Sequence, residues 1–305
     1  MPFPSYNAVR ADGWVGNAAY YTTGPSDTPF VRDGAVHAMT PEWNTMAAVT
    51  NGSDFMKELH GRYLPQEPRE DDDAYAARIG RSVLSPFTLR LIENAAGMVL
   101  RRPITVDGDD YWKNFSKNVD GLGSSINEYA RRALVSSLTY GHSAVLIDYP
   151  NDPGILTLRD EIERGRRPYF INIDAPQIWG WRQESTNPSS KLTQIRLHEW
   201  VCVPDGDFGE IREEQIRVIR PGRYETWNTE GIVSTGTYSL DEIPLVPIYS
   251  NRTGMLTSKP PLLDIGSLNI THYQRQADLI NAPHIAAMPI LVLEGWDDQP
   301  EGTSV

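Results

Sequence analysis

Apolar positions along this chain follow three regimes. From residue 40 to about 141 they recur at three- and four-residue intervals, the period of helices with one buried face. Thr40-Pro41-Glu42 reads as a helix start, with a cap, a proline at the first position and an acid in the first turn, and predicts a helix from Pro41 to about Val49. Ser53 is placed to cap a second helix carrying Phe55, Met56 and Leu59, with Gly61 as its stop. The acidic run Glu67 to Asp73 reads as the solvated start of a helix continued by Tyr75, Ala76, Ile79 and Val83. Ser85-Pro86 opens another, with Leu89, Ile92, Ala96 and Leu100 on one face. Ile104-Thr105-Val106 predicts a short strand. Ser125 to Glu128 has capping-box spacing, and the helix it starts should run to Tyr140 and end at Gly141. Ser143 to Tyr149 then reads as a buried strand.

From residue 167 the period shortens to two. Tyr169 to Ile173, Ile178 to Arg182 and Leu192 to Val203 predict strands, and Gln215 to Ile219 with Arg223 to Trp227 predict a hairpin around Pro221-Gly222. Asn228 to Gly231 turns into Ile232-Val233. Pro244 to Tyr249 is an extended lead into a loop. The fold class is therefore α+β, with a small antiparallel sheet unit following a helical part.

At residue 261 the pattern turns helical again. Pro261 suits a first helical position, and Pro283 should stop or kink the helix near Ala282. Leu263, Ile270, Tyr273, Ala277 and Ile280 are spaced 7, 3, 4 and 3, and Gly266 fills the gap. This is a 3.5-residue seam, suited to packing on long partner helices from other segments or other subunits. Asn269, His272, Arg275 and Gln276 form the mainly polar remainder. Lys259, Arg275 and Gln276 are the candidate polar positions facing a channel or a subunit seam. Residues 1–39, rich in Gly, Pro and aromatics without a period, read as an extended arm that lies on something.

Composition narrows the function classes. The 305 residues are 40% hydrophobic and 22% charged, as in a folded globular protein. A net charge of −12 argues against gripping nucleic acid by neutralising phosphates, which needs clustered Lys and Arg. It is compatible with a surface past which DNA slides. A lone cysteine, Cys202, excludes an internal disulfide framework and an all-cysteine zinc site. The N-terminus lacks the basic and apolar regions of a signal peptide, and no apolar run is long enough to span a bilayer.

Candidate chemistry is sparse. No two of the six histidines stand at the i, i+4 spacing of a helical zinc site, so no metal centre is expected. Gly141-His142-Ser143 faintly resembles a nucleophile elbow, but Val145 replaces the last glycine and the order is helix then strand. Gly121-Leu122-Gly123 lacks the rest of a phosphate-binding loop, so no cofactor is expected. The acidic turns at 107–110 and 205–207 read as hairpin tips. The tryptophans Trp112, Trp179, Trp181, Trp200 and Trp227 suit packing or subunit contact better than base stacking. No catalytic residue emerges. A hydrolase built on Ser143 would need a concave pocket around it with a histidine in reach.

Several segments in fixed order resemble one family. They are Gly61-Arg62-Tyr63-Leu64-Pro65, the helix Tyr75 to Arg81, and Asn94 to Pro103 (NAAGMVLRRP). Next come Ala130 to Leu134, Tyr140 to Pro150 (YGHSAVLIDYP) and Arg167-Pro168-Tyr169. Pro244 to Tyr249 and Pro260 to Ile265, with Leu268-Asn269-Ile270 and His272-Tyr273, complete the set. Together they resemble the portal proteins of tailed bacteriophages, in the branch long labelled only as a domain of unknown function. The resemblance implies a ring subunit, typically one of twelve, at a capsid vertex through which double-stranded DNA passes during packaging and ejection. It implies the terminase packaging motor, a head–tail adaptor and the major capsid protein as partners, no membrane, and a virion location after assembly in host cytoplasm. Residues 40–258 would be a wing domain, helical over 40–150 and β-rich over 167–249. Residues 259–284 would hold the first stem helix, and 285–305 the start of a clip. Leu263, Ile270, Tyr273, Ala277 and Ile280 would then be the subunit-packing stem seam. The second stem helix, returning wing segment and crown expected of the family are missing after it, so the chain reads as C-terminally truncated. The competing expectations are another virion component, such as a connector or minor capsid protein, and, more remotely, the hydrolase.

Overall fold

One face of a three-stranded sheet packs on helices and the other on a five-stranded sheet. The computed structural model describes residues 28–149, 166–186 and 189–286. Residues 1–27 of the arm expected over 1–39, and most of the expected clip, lie outside the described residues. Among those described, the helices are α1 (Gly34–Thr50), α2 (Ser53–Glu58), α3 (His60–Tyr63), α4 (Asp72–Arg81), α5 (Phe87–Val99), α6 (Asp110–Phe115), α7 (Ile126–Tyr140) and α8 (Leu263–Ala286). The strands are β1 (His142–Asp148), β2 (Tyr169–Asp174), β3 (Ile178–Thr186), β4 (Ser189–Asp205), β5 (Gly209–Arg220), β6 (Arg223–Asn228), β7 (Gly231–Thr237), β8 (Leu245–Tyr249), β9 (Arg252–Gly254) and β10 (Thr257–Ser258). The architecture is α+β with antiparallel sheets and a long C-terminal helix.

The α7–β1 unit is the hub, and local chemistry accounts for it. Ser125 Oγ accepts from the Glu128 amide at 3.3 Å while Glu128 Oε2 accepts from the Ser125 amide at 2.8 Å, a reciprocal capping box. Gly141 ends the helix at φ 91°, where a Cβ would stand 2.4 Å from Ser258 Oγ and 2.8 Å from the Lys259 carbonyl carbon. The chain reverses directly into β1, the centre of the sheet ordered β2-β1-β8, all antiparallel. Both faces of β1 are covered, which explains its near-continuous apolar run. Ala144 and Leu146 join a core with Ile173, Ile178, Ile195, Leu197, Ile219 and Ile243, while Val145 faces a cluster of Phe115, Val119, Tyr129 and Ala133 around α6 and α7.

The second sheet is a five-stranded meander, β3-β4-β5-β6-β7, built from hairpins. Gly222 (φ 75°) and Gly206 (φ 69°) supply the left-handed turn positions between β5 and β6 and between β4 and β5. The strands expected at 178–182, 192–203, 215–219 and 223–227 all form, and all extend further. The extended lead at 244–249 contains β8, paired with β1.

Other expectations are corrected. The first helix begins at Gly34, not Pro41, so residues 34–39 are helix and not arm. Pro41 lies inside α1, a position that removes a hydrogen bond and crowds the preceding turn. Burial of Val36, Met39 and Trp43 against Tyr140 and Ala175 outweighs that cost. Thr40 Oγ1 also donates to the Val36 carbonyl at 2.7 Å. Gly52, not Ser53, caps α2, and Ser53 Oγ instead accepts from the Leu84 amide at 2.9 Å. Gly61 lies within the short α3 rather than ending α2. Residues 104–106 form no strand; the Ile104 amide donates to Asn127 Oδ1 at 2.7 Å. The turn at 107–110 is a helix start, with Asp109 Oδ1 accepting from the Trp112 amide. The helix α8 continues past Pro283 to Ala286.

Candidate functional site

The long helix α8 is the candidate site, and its setting is defined by two stripes of residues on opposite sides. The inner stripe runs through Gly266, Asn269, Tyr273 and Ala277, all buried. Tyr273 and Ala277, with Ile270 beside them, enter a cluster of Ala48, Met56, Tyr63, Leu64 and Leu84 drawn from α1, α2, α3 and the segments after α3 and α4. Gly266 lies against Met46 of α1, where a Cβ would stand 2.8 Å from the Met46 sulfur. At the centre of the seam expected from heptad spacing, Tyr273 and Ala277 pack against other segments of the same chain. Leu263 is half-buried, and Ile280 is at the exposed margin.

Polar contacts fix the register of this seat. Asn269, expected among the polar remainder, is buried. Its Oδ1 accepts from the Thr88 amide at 3.2 Å and Thr88 Oγ1 at 3.3 Å, and its Nδ2 donates to the Ser85 carbonyl at 3.1 Å. The side chain therefore ties α8 to the first turn of α5, whose orphan amide it satisfies in the manner of a cap. The Tyr273 hydroxyl lies 2.7 Å from Ser82 Oγ, and Gln274 Nε2 donates to the Tyr63 carbonyl at 3.0 Å.

A buried cation clamps the far half of the helix. Arg78 of α4 donates to both oxygens of Glu70 at 2.7–2.8 Å and to the Pro65 carbonyl at 2.8 Å, and it reaches Asp278 of α8 at 3.5 Å. Hydrogen bonding to Arg78 holds the Glu70 carboxyl below the usual carboxylate range. The acidic run is therefore not wholly solvated. Asp71 caps α4, accepting from the Ala74 amide at 2.8 Å, and Glu70 is buried in this ion pair.

A second joint secures the entry to α8. His142 is fully buried, with Nδ1 2.6 Å from Ser258 Oγ, and its ring lies between those of Trp43 and Tyr249. The Ser258 hydroxyl also reaches the Tyr140 carbonyl, to which Trp43 Nε1 donates at 2.9 Å. Burial pushes the imidazole pKa down to about 4. Ser143, the residue of the elbow-like triplet, is buried as well, and its Oγ donates to the Ala133 carbonyl at 2.9 Å. The triplet is a helix-to-strand turn. Its serine is sealed from solvent, with its hydroxyl engaged by a backbone carbonyl.

The outer stripe of α8 is different in kind. Ile265, Leu268, His272, Arg275 and Leu279 recur at 3, 4, 3 and 4 residues and are all exposed, Leu268 and Leu279 by 65% and 70%. Their spacing is a second heptad seam. Phe87 of α5 stands edge-on to His272 at 5.2 Å and, with Leu91, widens the apolar strip onto α5. Of the candidate channel positions, Arg275 belongs to this outer stripe. Lys259 is exposed before the first turn, more than three turns of helix from Arg275. Gln276 is half-buried beside Ser85. The three do not form one cluster. Sequence spacing picked out the inner seam and missed the outer one, though the same counting from Ile265 would have found it.

Among the described residues no group of three or more His, Cys, Asp or Glu side chains is placed to hold a metal ion. No helix there is long and apolar enough to cross a membrane. A cleft of about 210 Å³ between α1 and the α2–α3 region is lined mainly by apolar atoms of Ala47, Phe55, Leu59 and Tyr63, with Asn44, Glu58 and Arg62 also in its wall.

The family model of a domain of unknown function, DUF4055, matches residues 261–305, which begin two residues before α8 and run to the last residue of the sequence. No curated protein matches the chain.

Proposed function

We propose that the chain is the wing and first stem helix of a portal subunit of a tailed phage, a structural protein that assembles into a ring around a DNA channel. The observation that carries this reading is the double seam of α8. Its inner stripe is filled by the chain's own helices, and its outer heptad of Ile265, Leu268, His272, Arg275 and Leu279 stays exposed on a rigidly seated helix. A neighbouring subunit is the partner such a surface requires in a ring. The family-model match over 261–305 supports the reading, because it covers α8 and the residues after it.

In this proposal residues 40–258 form the wing, 259–284 the first stem helix, and 285–305 the start of the clip. The inner seam residues Tyr273, Ala277 and Ile270 hold the stem to its own wing, and subunit packing falls to the outer stripe. The acidic chain suits a conduit that must release DNA, since extensive phosphate neutralisation would give strong, salt-sensitive adhesion. The ring, of twelve copies as is typical of portals, would meet the terminase, the head–tail adaptor and the capsid shell. It performs no chemistry of its own and resides in the virion. Multi-angle light scattering on the complete polypeptide tests this. The expected mass is that of about a dozen subunits, and a monomer at every concentration tried counts decisively against it.

A further inference from the structure

The five-stranded sheet narrows to two strands at one end. Pairing of β3 with β4 stops at Leu197, and pairing of β5 with β6 stops at Ile216. Beyond those points β4 and β5 pair only with each other, from Glu199 opposite Gln215 to Asp205 opposite Gly209. The result is a two-stranded ribbon projecting about 20 Å from the sheet. Such a ribbon is at best marginally stable in water by itself. Its side chains are not those of a solvated tip. Val201, Val203 and Ile211 share one face, with Val203 directly opposite Ile211, and they continue the line of Ile195 and Leu197 past the end of the core. Ile211 is 51% exposed, and Phe208 in the turn is wholly exposed. Asp205, Asp207, Glu210 and Glu213 surround these apolar groups, and none of the four forms an ion pair among the described residues.

A surface of opposite charge lies on α5. Phe87, Leu91, Asn94 and Met98, continued by Arg101 just past the helix, recur at 4, 3, 4 and 3 residues, so they form one stripe, and all are exposed. Met98 is 74% exposed. Arg90 borders the stripe and Arg101-Arg102 close it, and none of these three arginines forms an ion pair among the described residues. The one acid of α5, Glu93, falls to the side of the stripe. In a chain of net charge −12, unpaired arginines beside exposed apolar groups make a surface that seeks an acidic, apolar partner. The ribbon has that chemistry.

We propose that the β4–β5 ribbon is a docking arm for a second copy of this chain. It lays Val203, Ile211 and Phe208 on the Leu91–Met98 stripe of the next copy's α5, and Asp205, Asp207 and Glu210 meet Arg90, Arg101 and Arg102 there. The proposal rests on the reading of the chain as a self-assembling ring subunit and adds to it a second pair of surfaces, apart from the outer stripe of α8. The two patches differ, so the contact is head-to-tail, the kind that closes rings. Apolar burial supplies adhesion. The opposed charges set the register and disfavour ribbon-on-ribbon and helix-on-helix pairing, each of which brings like charges together.

The test is a charge exchange in the complete polypeptide, read by sedimentation velocity. Arg101→Glu with Arg102→Glu should weaken self-association about tenfold or more, and Asp205→Arg with Asp207→Arg should do the same. All four together should restore it to within about threefold of the parent, because the pairs match again with signs reversed. Losses that add in the combined variant, or no loss in either pair, overturn the docking arm. Urea midpoints should equal the parent's, since all four positions are exposed. A second readout is independent of these charges. Chains with Cys202→Ser, which removes the one native thiol, carry either Phe208→Cys or Met98→Cys and are mixed with a flexible bis-maleimide. A linked pair of one chain of each kind is expected. Linkage only between two Phe208→Cys chains, or no linkage, overturns the proposal. A parent that forms rings while the charge variants associate as tightly removes the arm and leaves the ring reading standing. A parent that is monomeric at every concentration removes both.

Discussion

Acidification should loosen the entry of α8 through one residue, His142. Its ring is fully buried between Trp43 and Tyr249, its Nδ1 meets Ser258 Oγ, and its Nε2 has no partner. The hydrogen-bond network implies the tautomer: Nδ1–H donates to Ser258, whose hydroxyl donates on to the Tyr140 carbonyl, leaving Nε2 as a bare acceptor. A proton there would put a charge in an apolar site. The pKa is accordingly lowered from 6.5 to about 4. The unfolded chain therefore binds the extra proton first as pH falls. The stability contribution is complete above about pH 6.5 and is lost progressively down to about pH 4. Linkage over that interval amounts to about 3 kcal/mol in full, and about 2 kcal/mol of it between pH 7.5 and 5. Depressed carboxylates such as Glu70 and Asp120 add acid sensitivity at lower pH, so the measurement is a difference. Urea unfolding followed by tryptophan fluorescence at both pH values is compared between the natural protein and His142→Gln, which can still bond to Ser258 but does not titrate. The variant should lose about 2 kcal/mol less on acidification. An identical loss in both proteins refutes the assignment of this histidine as a buried neutral base.

Three further outcomes are expected from the seat of α8. Asn269→Leu strands the Thr88 amide and the Ser85 carbonyl in a buried place and should cost about 2–3 kcal/mol in urea unfolding, while Gln276→Leu beside it should cost far less. Gly141→Ala meets a left-handed φ, the Ser258 hydroxyl and the Lys259 backbone, so it should destabilise by about 2 kcal/mol or more, readable as a drop in Tm; a neutral result contradicts the close approach there. Leu268→Glu with Leu279→Glu should leave monomer unfolding within about 0.5 kcal/mol of the parent, as for exposed positions, yet abolish self-association in sedimentation velocity. Unchanged association removes the outer stripe from the subunit contact.

Local rules carried most of the fold. The capping box at Ser125, the glycine after Tyr140 and the turn glycines at 206 and 222 each act within four residues, so the sequence alone exposes them. What it hid was decided at long range. Pro41 reads as a helix start, but the helix extends backwards because Val36 and Met39 find Tyr140 about a hundred residues away. Asn269 reads as solvent-facing until Thr88 of α5 supplies a backbone amide and Ser85, just before that helix, a carbonyl. Glu70 looks like one acid in a solvated run, although Arg78 folds over it. The heptad of α8 was legible as spacing, but a helix with two seams needs the structure to say which one its own chain consumes. That His198, Ile216, Trp227 and Ile232 stand side by side across β4 to β7 could not be read without strand register, because they come from four separate strands.

The central claim is that the exposed heptad of α8 packs against a neighbouring copy in a closed ring. Negative-stain electron microscopy of the complete polypeptide tests it most directly. The account predicts end-on class averages of a closed ring with rotational symmetry and a central channel, lost on Leu268→Glu with Leu279→Glu. Particles of single-subunit size, or rings that persist unchanged in that double variant, would contradict it.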